Sequence, residues 1–143
     1  MPTGKSTKPK GAKSTPEFHK VFERLLAILK KHQGKFTVMV DKPAEYGFGG
    51  PVGPASIKAW GGNAKRKTIM LTWLKVGKNY VSCHLLGLYA NPKLLAGISK
   101  ELKARMQGKA CFNFSRIDEP LFKELSRLTS DSLTDMKKAG FVA

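Results

Sequence analysis

The stretch Lys67-Thr68-Ile69-Met70-Leu71-Thr72-Trp73-Leu74-Lys75-Val76-Gly77-Lys78-Asn79-Tyr80-Val81-Ser82-Cys83-His84-Leu85-Leu86-Gly87-Leu88-Tyr89 decides the fold. Two runs rich in β-branched, aromatic and leucine residues, 67–76 and 80–89, are separated only by Gly77-Lys78-Asn79. Three residues are too few for a helical crossover, so the runs are predicted to pair antiparallel. A third strand is expected at Ala55 to Trp60, joined through Gly61-Gly62-Asn63, which makes the group a meander. In the second run Val81, Cys83 and Leu85 alternate with Tyr80, Ser82, His84, Leu86 and Leu88. Neighbours on a strand point to opposite faces. The purely apolar face is therefore expected to pack on helices, and the mixed face to line a shallow pocket with Trp60 or Trp73.

Helical signals flank this meander. Ser14-Thr15-Pro16-Glu17 offers a hydroxyl cap, a first-turn proline and a glutamate three places on. Phe18, Val21, Phe22, Leu25, Leu26 and Leu29 follow at helical spacing, and Gly34 is placed to end the helix. Phe36 to Val40 reads as a short strand. Asp41 to Pro54, with four glycines and three prolines in fourteen residues, reads as loop. Beyond the meander, Asn91-Pro92 opens a helix carrying Leu94, Leu95, Ile98 and Leu102, with a break expected near Ser99. Ala110 to Phe114 is a further strand. Asp118 caps a last helix bearing Leu121, Phe122, Leu125 and Leu128, which Gly140 stops. This order predicts an α+β domain, a twisted antiparallel sheet covered by N-terminal and C-terminal helices.

The chain has 143 residues, of which 41% are hydrophobic, enough for one domain and too few for two. Residues 1–14 hold Lys5, Lys8, Lys10 and Lys13 with no acid and almost no apolar side chains. They read as a disordered basic tail, with the domain spanning 15–143. The longest uninterrupted apolar run in the first half is Leu25 to Leu29, so no membrane span is expected, and the basic N-terminus lacks the apolar core of a signal peptide. Cys83 and Cys111 are too few for a disulfide scaffold and point to free thiols in a reducing, cytoplasmic setting.

Several chemistries are excluded by spacing. Tyr46-Gly47-Phe48-Gly49-Gly50-Pro51-Val52-Gly53 has no Gly-Lys-Ser/Thr and opens no helix, so it is not a phosphate loop. Cys83 and His84 are strand neighbours and cannot form a dyad with each other. His19 and His32 lie thirteen residues apart on one helix and cannot share a metal, and no zinc spacing occurs. No cofactor and no metal site are read from the chain, and a non-enzymatic role is expected.

Charge carries the functional reading. Twenty-six Lys plus Arg stand against 10 Asp plus Glu, a formal +16. Between Glu45 and Glu101 there is no acid, while Lys58, Lys65, Arg66, Lys67, Lys75 and Lys78 accumulate. Lys65-Arg66-Lys67 is expected at a hairpin tip flanked by Trp60 and Trp73. Cations interleaved with rings suit phosphates and bases, so nucleic acid or another polyanion is the expected partner. The alternative is a small-molecule or metal (iron) carrier whose pocket uses Tyr46, Phe48, Tyr80, Ser82 and His84.

Val81-Ser82-Cys83-His84-Leu85 resembles the hydrophobic-Ser-x-His-hydrophobic strand of the YdhG-like family, small bacterial domains of unknown function. The strand ending in Trp60-Gly61, the Leu-rich helix at Leu94 to Leu102, the strand Ala110-Cys111-Phe112-Asn113-Phe114 and the closing helix from Asp118 extend the likeness over roughly residues 17–133. The resemblance implies a compact α+β domain similar in shape to frataxin, and with it an iron-carrying role. Iron prefers carboxylate oxygens. The first helix sets Glu17 and Glu23 against Lys20, Arg24, Lys30 and Lys31, so iron carriage stays the alternative.

Overall fold

The computed structural model describes residues 16–62 and 65–143. The basic tail, the Ser14-Thr15 cap and Asn63 of the glycine turn lie outside them. Helix α1 (Pro16–Gln33) buries Phe18, Val21, Phe22, Leu25, Ile28 and Leu29, a single stripe at three- and four-residue spacing. Helix α5 (Glu119–Lys138) starts where the Asp118 carboxylate accepts the Leu121 N–H at 3.3 Å. It ends at Gly140, whose φ of +85° is a left-handed conformation that a side chain would strain.

Five strands form one antiparallel sheet in sequence order: β1 (Thr37–Lys42), β2 (Glu45–Pro51), β3 (Thr68–Val76), β4 (Val81–Leu85) and β5 (Cys111–Phe114). The molecule is thus an α+β domain, a meander with its N- and C-terminal helices packed together and α1 laid on β3 and β4. Val81, Cys83 and Leu85 are fully buried on the helix-facing side. Phe114 and Phe122 meet edge to face at 5.0 Å and lock β5 to α5, each ring contributing about 1.5–3 kcal/mol by burial. Among the described residues no helix is long and apolar enough to cross a membrane.

Three expectations are corrected. The segment 41–54 is not a loop, because Glu45–Pro51 is a central strand paired on both sides. Its glycines serve close approach: a Cβ on Gly49 would collide with the Ile69 carbonyl. Such glycines read as turn signals in a sequence, whereas here they let β2 and β3 pass a bulge at Phe48/Gly49.

Ala55 to Trp60 is not a strand but helix α2 (Pro54–Ala59). Its first turn is held from far along the chain. The Ala55 N–H donates to the Gly140 carbonyl at 2.9 Å and the Ser56 hydroxyl to that of Phe141 at 2.6 Å. Six residues are too few to display helical periodicity, so the sequence carries little signal there.

The strand read at 80–89 stops at Leu85, and the chain turns into α3 (Gly87–Ala90). Leu88, expected on the mixed face, is fully buried instead. A short 3-10 helix (Pro92–Gly97) then gives way to α4 (Lys100–Lys103) at the expected break. Ser99 caps α4, accepting the Leu102 N–H at 3.1 Å, while its own N–H and hydroxyl both donate to the Glu124 carboxylate at 2.6 Å.

Candidate functional site

The pairing register sorts the sheet into two faces. Tyr46, Leu74, Cys83 and Phe112 form a buried row on the helix side. On the outer side, Gly47, Trp73, His84 and Cys111 form one row, and Glu45, Lys75, Ser82 and Asn113 the next. Cys83 and His84 therefore point to opposite faces, as strand geometry requires.

This sorting divides the expected pocket residues. Ser82 and His84 lie on the outer face. Tyr46 and Phe48 do not: they are 2% and 0% exposed and belong to the core beneath it, where Phe48 stacks on Phe36 at 5.7 Å. Their alternation with glycine is the reason, since the rings gain most by facing the helices and the glycines take the outer side. Tyr80 lines neither hollow that His84 lines, and its hydroxyl donates to Gln107 at 3.0 Å. Gln107 also accepts from Asn113 at 2.7 Å, and Asn113 accepts from the Ser82 hydroxyl at 2.8 Å.

The nucleic-acid set gathers better. Trp60, Arg66, Trp73 and His84, with Val40 and Glu45, line one groove of about 400 Å³ on the outer face. A hollow of about 310 Å³ adjoins it past Trp60 and Tyr89, and one of about 240 Å³ past Trp73, Lys75 and Ser82. Shared lining residues join the three into a trough across the sheet. Met70 covers Gly47 on this face, since a Cβ there would sit 2.6 Å from the Met70 sulfur. Lys65-Arg66-Lys67 is not a hairpin tip, because α2 precedes it; the three residues are exposed in the α2–β3 connection. Lys58 and Lys78 are exposed one residue from Ala59 and Gly77, which line the trough.

Two cations lie over rings. The Arg66 guanidinium is 5.0 Å from the Trp60 ring centroid, and the Lys75 ammonium 5.7 Å from that of Trp73. Trp73 is 37% exposed, and its indole N–H donates to the Glu45 carboxylate at 2.7 Å, which fixes the ring's orientation. Leu86 lines the groove as the mixed face of the second run implied, whereas Glu45, Ile69 and Met70 are lining residues that sequence reasoning missed. The aromatic–glycine alternation of residues 46–49 was a period-two signal that could have placed Glu45 beside Trp73.

Titration at the site is set by burial. His84, tilted against the Tyr89 ring at 5.8 Å, has its pKa lowered by desolvation, so it is neutral at pH 7. It faces Cys111 across β4 and β5, but burial raises that thiol's pKa more than the Ser82 hydrogen bond lowers it. Cys83, fully buried, is pushed up to about 12. Both sulfurs stay protonated at neutral pH and are weak nucleophiles. Among the described residues no three His, Cys, Asp or Glu side chains gather to hold a metal ion. The outer face thus offers ring faces, fixed cations, hydroxyl and amide groups, and one imidazole that donates at one nitrogen and accepts at the other. Comparisons with family models, curated proteins and solved structures find no match to this chain.

Proposed function

We propose that this protein is a non-enzymatic nucleic-acid-binding module whose contact surface is the outer face of the sheet. The observation that carries the reading is the convergence of Trp60, Arg66 and Trp73 on one groove, with Lys75 beside it. Arg66 and Lys75 contact phosphates, joined by Lys58, Lys65, Lys67 and Lys78 from the bordering segments. The run from Tyr46 to Lys100 holds no acid, which leaves Glu45 as the one carboxylate among the described residues lining the groove, and the formal +16 draws polyanions to the surface. Cationic contacts of this kind release counterions, so affinity falls steeply with salt.

The test is a fluorescence-anisotropy titration of labelled oligonucleotides at about 50 and 200 mM salt. Binding that weakens strongly between the two, and weakens further in the variant Lys65→Ala/Arg66→Ala/Lys67→Ala, is the expected result. Absence of binding at the lower salt overturns the reading and turns attention to His84 as part of a small-molecule carrier.

A further inference from the structure

The trough is concave and ring-lined, whereas phosphate contacts alone need only a convex basic surface. We propose that it takes the unpaired bases of single-stranded nucleic acid, stacked on Trp73 and Trp60, an inference that rests on the nucleic-acid reading above. A base inside a duplex has both faces covered by its neighbours and cannot offer one to a side chain. An unpaired base can, and every base has such a face, so stacking is tolerant of sequence.

Three features fit this ligand in particular. Trp73 is a rigid platform: it is exposed, and Glu45 holds its N–H. The carboxylate is an acidic group in a site for a polyanion, and its bond to the indole engages it there. Each ring carries a cation over its face at 5.0 or 5.7 Å, so a base that takes that face moves Arg66 or Lys75 aside to its own phosphate. Finally, Trp73 and His84 face each other in the register and both line the groove, so a base on the indole has the imidazole in the same row. His84 and Ser82 lie within reach of base edges from that row and the next. His84 donates at one ring nitrogen and accepts at the other, so it meets donor and acceptor edges alike, and Ser82, whose proton goes to Asn113, adds an acceptor.

The experiment uses the full chain with oligo(dT), oligo(U) and a duplex, each about 12 nucleotides long, within the span of known single-strand sites. Single strands are expected to bind more tightly than duplex at about 200 mM salt, where the phosphate contribution is reduced. Trp73→Ala is expected to weaken single-strand binding about tenfold, leaving duplex binding and the salt slope unchanged, and Trp73→Phe to recover most of the loss. Lys75→Ala is expected to weaken binding of both ligands, lowering the salt slope of single-strand binding by about 0.7. Trp73 is exposed, so these variants test the ring without emptying the core. Duplex bound as tightly as single strand, or a Trp73→Ala effect equal on both, overturns base stacking while leaving the nucleic-acid reading intact. If no oligonucleotide binds at about 50 mM salt, both fail together. A small molecule then becomes the ligand to seek in the trough.

Discussion

Trp73 and His84 stand directly opposite each other across β3 and β4, on the sheet surface away from α1. His84 is half-buried in the same row of side chains that builds the candidate site. Burial there lowers the His84 pKa, and burial with the nearby Lys31 charge lowers that of His32, whose Nε2 lies 2.8 Å from the Ser126 hydroxyl.

A pH dependence of stability follows. In the unfolded chain each imidazole titrates near ~6.5. Below that value the unfolded state takes up protons that the folded state refuses, so stability falls on acidification until the folded pKa is passed. Urea unfolding at pH 7.5 and 5.5 measures it: the midpoint is expected to drop at the lower pH, and His84→Gln to flatten part of that drop. A profile that His84→Gln leaves unaltered would show the ring to be solvated.

Thr72 lies on the helix side of β3, fully buried, and its hydroxyl has no hydrogen-bond partner. An unpaired buried hydroxyl costs stability, and valine has nearly the same shape without it. Thr72→Val is expected to raise unfolding stability by about 1 kcal/mol in a denaturant titration. A loss of stability would mean that the hydroxyl finds a partner in solution.

Gly49 has Ile69 backbone where its Cβ would stand. Gly49→Ala must therefore push β2 from β3, at a cost of about 1–3 kcal/mol. Gly97 has open space at the equivalent position, so Gly97→Ala is expected to change stability by less than about 0.5 kcal/mol. Equal effects in thermal unfolding of the two variants would refute the close approach.

The thiols differ in access. Cys83 is fully buried and its pKa is pushed up to about 12, whereas Cys111 is half-buried. In Cys111→Ser, a colourimetric thiol reagent at pH 8 is expected to find no reactive group in the native protein and one after denaturation. Rapid native modification of Cys83 would show that β4 opens readily to solvent.

Much of this fold is legible in the sequence. The α1 and α5 stripes repeat every three or four residues over eighteen and twenty positions, long enough for periodicity to speak. Asp118 announces α5 by a cap that needs only its own neighbours. The β3–β4 pairing follows from a connection too short to do anything else. By contrast, β2 was hidden because glycine and proline ordinarily mark turns, and its strand character comes from pairing with β1 and β3. Helix α2 was hidden for a related reason: its first turn is secured by Gly140 and Phe141, more than eighty residues away.

The site divides along the same line. Charge and ring content are local properties, so the sequence alone offered Trp60 and Trp73 with Lys58, Lys65, Arg66, Lys67, Lys75 and Lys78 as candidate nucleic-acid contacts, and the alternation in β4 placed His84 opposite the apolar face. Which of these meet was decided only by tertiary structure. A one-residue register shift would have turned Trp73 into the core and Tyr46 onto the surface, because successive strand residues face opposite sides. The observed register puts Gly47, Trp73, His84 and Cys111 in one outer row, and α2 brings Trp60 to the same groove. Local composition sets what each segment can do, and packing of the apolar face against the helices selects which side of it meets solvent.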